Sequence, residues 1–149
     1  SRVVYTQPSP YGVDNSAILK GIKLMNQETP GRAKGVCAIT MDVSDKFLEE
    51  LKDQGITGVR LNMDNIGGMP IGLDEIPNLE SRIKDLGWHM EYLFPGKDIV
   101  ELAPIFKKSS IPISIAHFAY QPAVNGINSD GFQTLLNLVK DVFTQEKML

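Results

Sequence analysis

The stretch IPISIAHF, residues 111–118, decides how the rest of the chain is interpreted. This isoleucine-rich run is entered through a proline and closed by a histidine, a pattern typical of a buried strand. His117 would then be a titratable ring at the carboxyl end of that strand. In parallel α/β proteins the carboxyl ends of the strands carry the functional site. The stretch therefore predicts both a fold class and a candidate site.

Four further apolar runs precede this stretch, and each of them alternates with a helical pattern. The five predicted strands cover residues 3–6, 35–40, 56–62, 88–94 and 111–118. The predicted helices begin near capping or first-turn residues: Asp14 or Asn15, Ser44, Pro77, Asp98 and Asp130. Regular alternation of this kind produces parallel strands joined by right-handed crossovers. We therefore expect one α/β domain over residues 1–149.

Two architectures fit five strand-helix units in this length. The first is part of a TIM (β/α)8 barrel, which normally needs about 250 residues, so the chain would be a fragment. The alternative is an open doubly wound five-stranded sheet. Neither GxGxxG nor GxxxxGK[ST] occurs in the sequence. This disfavours the doubly wound nucleotide binders, because their phosphate loops require such glycines.

The composition excludes several classes of partner. A net charge of -3 and a pI near 5.3 do not provide the basic surface that nucleic acid requires. The apolar runs are much shorter than the roughly 20 residues that cross a bilayer. One cysteine, Cys37, cannot form an internal disulfide, which favours a reducing compartment. We expect a cytoplasmic protein that binds neither nucleic acid nor membrane.

His117 and Arg60 are the most informative polar residues. His117 could be a metal ligand, a general base or a hydrogen-bond donor to substrate, or a structural histidine. Arg60 lies in an apolar strand and therefore needs a partner. Its guanidinium suits a substrate carboxylate, and the alternative is an internal ion pair with Asp42, Asp64 or Glu91. The sequence alone leaves both alternatives open for each residue.

Other candidates are weaker. His89 begins its strand, at the end of such folds that contributes to stability, so we interpret it as structural. Cys37 lies in mid-strand and is expected to be a buried, inert thiol. No HxH, HExxH or GxSxG motif occurs. A metal site within this chain alone, or a serine triad, is therefore poorly supported.

Five motifs occur in an order and spacing that resemble a known family. They are QPSPYGVDN at 7–15, GRAKGV at 31–36, GVRLN at 58–62, LGWH at 86–89 and the strand ending in His117. The chain resembles the amidohydrolase-related family of metal-dependent hydrolases with the TIM-barrel fold. Within that family it is most similar to the 2-pyrone-4,6-dicarboxylate lactonases. The similarity covers nearly the whole chain and implies that it supplies strands two to six of a barrel.

The resemblance also implies a site. The family combines an HxH pair on the first strand, a later histidine that matches His117, and an aspartate on the last strand. In the intact barrel this implies a catalytic role for His117 and one divalent metal, Zn or Mn, which His117 would help to bind. An arginine matching Arg60 holds a substrate carboxylate. The implied substrate-binding set is Arg60, Gln7, Ser9, Tyr11 and Asn62.

This chain departs from the family pattern in three ways. It lacks the strand with HxH, it ends before the strand with the aspartate, and it has AHFA at 116–119 where the family has Asp-His-Met-Gly. We therefore expect the chain alone to be inactive, and to form homo-oligomers or to pack against the rest of a barrel. The leading hypothesis is a hydrolase of a small carboxylated lactone. The alternatives are a metal-dependent decarboxylase of aromatic acids and a non-catalytic α/β binding domain.

Overall fold

The computed structural model of the chain describes residues 1–63 and 71–143, with side chains described up to residue 141. The strands are β1 Val3–Thr6, β2 Ala33–Cys37, β3 Ile56–Asn62, β4 His89–Leu93 and β5 Ile113–Ile115. The α-helices are α1 Ser16–Glu28, α2 Asp45–Asp53, α3 Ile76–Lys84, α4 Ile99–Lys108 and α5 Asp130–Phe143. Asp64 and the glycine-rich loop at 67–70 lie outside the described residues. None of the described helices combines the length and apolar character needed to cross a membrane.

All five strands pair in parallel, in the order β1-β2-β3-β4-β5. Helices alternate with the strands, and the open sheet curls like half of a barrel. This confirms the predicted α/β fold with an open five-stranded parallel sheet. Each strand lies next to its neighbours in sequence, and the order of the described strands does not reverse. A barrel wall has this sequential order.

The two faces of the sheet differ in polarity. Because successive side chains of a strand point to opposite faces, alternate residues of β3 and β4 form two sets. Val59, Leu61 and Met90 belong to the apolar core that the strands share with the helices. Arg60 and Glu91 occupy the intervening positions and are directly opposite each other in the β3-β4 register. The sheet therefore carries its charged residues on the face turned away from the helix-packed core.

Helix α2 shows how local sequence signals determine where a helix begins and ends. The hydroxyl oxygen of Ser44 accepts a hydrogen bond from the backbone N–H of Phe47 at 3.1 Å, as a capping serine does. Leu48 and Leu51 are buried in the core. Gly55 follows the helix with φ +98°, a conformation that strongly favours glycine. The predicted start of this helix is confirmed.

Two asparagines fasten α1 to β2 at both ends. The Asn15 amide donates to Ala38 O at 2.7 Å, and its Oδ1 accepts from Ala38 N at 2.9 Å. Asn26 makes the same pair of bonds with Ala33, at 3.0 and 2.8 Å. Each side-chain amide thus binds a strand-end residue as a neighbouring backbone would. Asn15 precedes the helix without capping it, and Asp14 accepts from Ser16 N instead.

Three predicted strands have different bounds in the structure; β4, predicted at 88–94, is one residue shorter at each end. We predicted β2 at 35–40, but it ends at Cys37 because Asn15 occupies both backbone groups of Ala38. The prediction of β5 at 111–118 was also wrong, since the strand covers only Ile113–Ile115. Residues 117–120 all have φ between 45° and 53°. This left-handed turn ends the strand because such φ values are incompatible with a β ladder.

Candidate functional site

The ion pair between Arg60 and Glu91 lies at the centre of the polar face. Arg60 Nε is 3.2 Å from Glu91 Oε1, and the two side chains are only 13% and 14% exposed. The Nε–H group makes no hydrogen bond with a described residue, so this contact is an electrostatic one. Of the three carboxylates considered from the sequence, Glu91 is the one that pairs with Arg60; Asp64 is outside the described residues. The internal ion pair is therefore present, and among the described residues no bond engages Nη2 of the guanidinium.

A second contact of Arg60 crosses the sheet. Arg60 Nη1 donates to Gln7 O at 2.8 Å, and Asn62 Nδ2 donates to Ser9 Oγ at 2.6 Å. Because β2 lies between β1 and β3, these two side chains of β3 reach past one strand to the end of β1. Four of the predicted site residues therefore meet at one place: Gln7, Ser9, Arg60 and Asn62.

The Gln7 side chain holds the loop that follows β1. It is 2% exposed, and its Nε2 donates to Gly12 O at 3.0 Å and to Asp14 O at 2.8 Å. Two carbonyl acceptors fix the orientation of the amide, since only the NH2 group can donate to them. Gln7 Oε1 is buried and has no hydrogen-bond partner among the described residues. The donors of this side chain are thus committed to the loop that carries Ser9.

Three other polar residues, Tyr11, Thr40 and Asp42, are not part of the group around Arg60 in the described structure. Tyr11 ends a short 3-10 helix that begins at Ser9, and it is 54% exposed. The Thr40 hydroxyl donates to the Asp42 carboxylate in an exposed position. Asp42 therefore engages a neighbouring hydroxyl instead of the guanidinium. None of these three residues forms a hydrogen bond or an ion pair with Arg60 in the part of the chain that the structure describes.

His117 occupies a different environment. It follows β5 in the left-handed turn, it is exposed, and its ring centroid is 4.9 Å from that of Tyr120. It borders an apolar cavity of about 400 Å³ that Ile115 of β5 and Leu138 of α5 also line. No hydrogen bond or ion pair within residues 1–63 and 71–143 joins it to the Arg60 group. The catalytic role of His117 stays a prediction.

The turn that carries His117 packs tightly against the end of β4. A Cβ added to Gly96 would lie 2.3 Å from Tyr120 O, so the turn requires a glycine there. Gln121 Nε2 donates to Gly96 O at 2.8 Å and to Ala119 O at 2.9 Å. Ala119 itself is buried. These contacts hold the four residues with positive φ in place.

The described residues do not form a metal site by themselves. No three His, Cys, Asp or Glu side chains among them lie close enough together to hold an ion. His89 Nδ1 lies 2.8 Å from Thr57 O, consistent with the structural role predicted for it. Burial raises the pKa of the Cys37 thiol to about 12, so this thiol is protonated at neutral pH. The chain would contribute at most His117 to the ligand set that the resemblance implies.

Sequence reasoning missed the residues that brace the site elements. Arg82 of α3 donates to Met41 O at 2.9 Å and to Val43 O, and it pairs with Asp45 Oδ1 at 2.8 Å. The buried Glu80 carboxylate accepts from Ser109 Oγ at 2.6 Å. On a predicted helix both residues look like ordinary solvent-facing charges. No local signal distinguishes them, because their partners are more than 25 residues away in sequence.

In sequence, the chain is similar to proteins named as lactone hydrolases. No family model matches it. It is 28% identical over 141 residues to a 2-pyrone-4,6-dicarboxylate hydrolase of Comamonas testosteroni, covering 95% of this chain and 45% of the relative. It is 26% identical over 140 residues to a 4-sulfomuconolactone hydrolase of Hydrogenophaga intermedia, covering 93% and 45%. The chain spans about half the length of these curated relatives.

A solved structure agrees with these relatives. It is a probable 2-pyrone-4,6-dicarboxylic acid hydrolase from Acinetobacter baumannii with citric acid bound. The match has a TM-score of 0.75 and 32% sequence identity, and it covers 92% of this chain and 50% of that one. The similarity thus extends from sequence to the arrangement of strands and helices.

Proposed function

We propose that this chain forms part of a hydrolase that opens a small cyclic ester carrying a carboxylate group. The observation that carries the proposal is Arg60. Its guanidinium is largely buried on the polar face, and its Nε and Nη1 are engaged by Glu91 and by Gln7 O. No bond among the described residues engages Nη2. An arginine presented in this way suits a substrate carboxylate.

The relatives support the same class of substrate. One is named for a pyrone dicarboxylate and the other for a sulfonated muconolactone, so both names describe an anionic lactone. The similar solved structure has citric acid, a tricarboxylate, bound. These names and the Arg60 guanidinium point to the same chemistry. A charge-assisted hydrogen bond of this kind contributes about 1.5–3 kcal/mol.

In the proposed reaction Arg60 binds the carboxylate and so orients the ring. The Ser9–Asn62 pair lies beside this anchor, at the end of β1, where it can contact the ring substituents. His117 would polarise the ester carbonyl or orient the attacking water. We propose that the five strands are one wall of a (β/α)8 barrel and that the remaining acid and base groups lie on its other strands. A divalent metal bound there would act as a Lewis acid on the carbonyl.

The test replaces Arg60 in the full-length protein. Arg60→Ala should lower kcat/KM for 2-pyrone-4,6-dicarboxylate by roughly 10- to 100-fold, since a charge-assisted bond is lost. Arg60→Lys should recover only part of this loss, because an ammonium lacks the planar fork. Arg2→Ala is the matched control, because Arg2 is an exposed arginine that precedes β1. Unchanged kinetics of Arg60→Ala on every carboxylated lactone that is hydrolysed would refute the proposal.

A further inference from the structure

We infer that Glu91 is a positioning residue that holds Arg60 in the geometry that receives the substrate carboxylate. This inference rests on the proposed function and assigns a role to a residue that it left without one. Glu91 would act only through the guanidinium and would not touch the reacting ester. The evidence is the register of the sheet, the burial of the pair and the distribution of contacts around Arg60.

The register places the pair without any help from loops. Arg60 and Glu91 are Cα partners in the parallel β3-β4 ladder, both pointing to the polar face. Neighbouring strands are separated by about 4.8 Å, so the two side chains start side by side and meet where Arg60 Nε is 3.2 Å from Glu91 Oε1. Rigid strands therefore fix where the carboxylate meets the guanidinium. A site built on strands is more precise than one built on loops.

Burial makes each charge depend on the other. With 13% and 14% exposure, neither group is well solvated, and each would be costly to bury alone. Glu91 forms no second ion pair with a described residue, and Arg60 forms none besides Glu91. The carboxylate is thus neutralised by the guanidinium in the resting site.

Two nitrogens of the Arg60 guanidinium are engaged by protein groups, and the third is left to contact substrate. Glu91 lies at Nε, and Gln7 O accepts from Nη1 at 2.8 Å. A free arginine side chain carries about 2 kcal/mol of rotamer entropy, which binding would otherwise have to overcome. Fixing two nitrogens before substrate arrives removes part of that cost. The remaining nitrogen, Nη2, then points its donors at a defined place.

The experiment is a double-mutant cycle in the full-length protein. Affinity for 2-pyrone-4,6-dicarboxylate is measured by calorimetry, and hydrolysis is measured in parallel, for Arg60→Ala, Glu91→Ala and the double variant. We expect Glu91→Ala to weaken binding roughly tenfold, the scale of a lost supporting contact. In the Arg60→Ala background, Glu91→Ala should have no further effect, because the two residues act as one unit. Glu50→Ala, which removes an exposed ion pair with Lys46, is the control.

Glu91→Gln distinguishes positioning from direct catalysis. A glutamine oxygen still faces Arg60 Nε but carries no charge. If Glu91 only positions Arg60, Glu91→Gln should therefore recover only part of the binding lost in Glu91→Ala, and its kcat should stay within a few-fold of the unaltered protein. A general base would lose as much kcat in Glu91→Gln as in Glu91→Ala. That result, or additive effects in the cycle, overturns the inference even if the alanine variant folds poorly.

If Arg60→Ala weakens binding and neither Glu91 variant does, the inference fails and the proposed function stands. If Arg60→Ala has no effect on binding, both fail.

Discussion

At the residue scale, the fold depends on a few buried side-chain amides. Asn15 is 6% exposed, and both of its polar atoms bond to the backbone of Ala38. These bonds satisfy the first backbone groups after β2, where the ladder stops. They also fix the start of α1, and with it the loop that carries Ser9. A single amide therefore links the core of the sheet to the candidate site.

Replacing Asn15 should be costly for stability. Asn15→Ala leaves the N–H and the carbonyl of Ala38 without partners in a buried position, at about 1–3 kcal/mol for each unsatisfied group. We expect a lower midpoint in urea unfolding, with an unchanged slope. Asn128→Ala, at an exposed loop position, should leave the midpoint within error. Equal midpoints for the two variants would contradict this role of Asn15.

At the element scale, a strand could be predicted where its apolar run in the sequence begins and ends at the same residues as the hydrogen-bonded ladder. Residues 3–6 and 56–62 were predicted and observed with the same bounds. Pro8 closely follows the first run, and Gly55 directly precedes the second. β5 was predicted, but its end could not be, since its apolar pattern continues into a turn built from His117 to Tyr120 without glycine. Likewise, the sequence offered three partners for Arg60, and only the β3-β4 register selects Glu91.

The attachment of α3 gives a prediction for an element. Arg82 joins this helix to the loop between β2 and α2 through the carbonyls of Met41 and Val43 and the carboxylate of Asp45. Arg82→Lys keeps the charge but loses the planar fork, so it cannot reach all three acceptors. We expect Arg82→Lys to lower the free energy of unfolding by about 1–3 kcal/mol, and the melting temperature with it. Arg2→Lys is the control, and equal melting temperatures in a calorimetric comparison would refute the assignment.

At the scale of the whole molecule, the described sheet has an open edge at β5. An apolar cavity lies between β5 and α5, and Phe118 beside it is 82% exposed. Unpaired strand edges and exposed apolar patches promote association. The solved relative with citric acid is about twice as long as the stretch that this chain matches. We therefore expect the 149-residue chain, expressed alone, to associate through this edge.

Light scattering after size-exclusion chromatography checks this expectation. Phe118→Ser should shift the chain toward the monomer, because it removes the most exposed aromatic ring beside the cavity. Val124→Ser alters a side chain that is 91% exposed but does not line the cavity, so it should leave the association unchanged. A stable, well-folded monomer of the unaltered chain at high concentration would contradict the expectation.

The contact between Gly96 and the turn after β5 constrains how this protein can vary. Position 96 and residues 119–121 are more than 20 residues apart in sequence, yet the carbonyl of Tyr120 fills the space that any side chain at 96 would need. A substitution at 96 would be accepted only together with a change of backbone path after β5. These positions should therefore vary as a pair among natural relatives, and a library that randomises them separately should yield few folded variants.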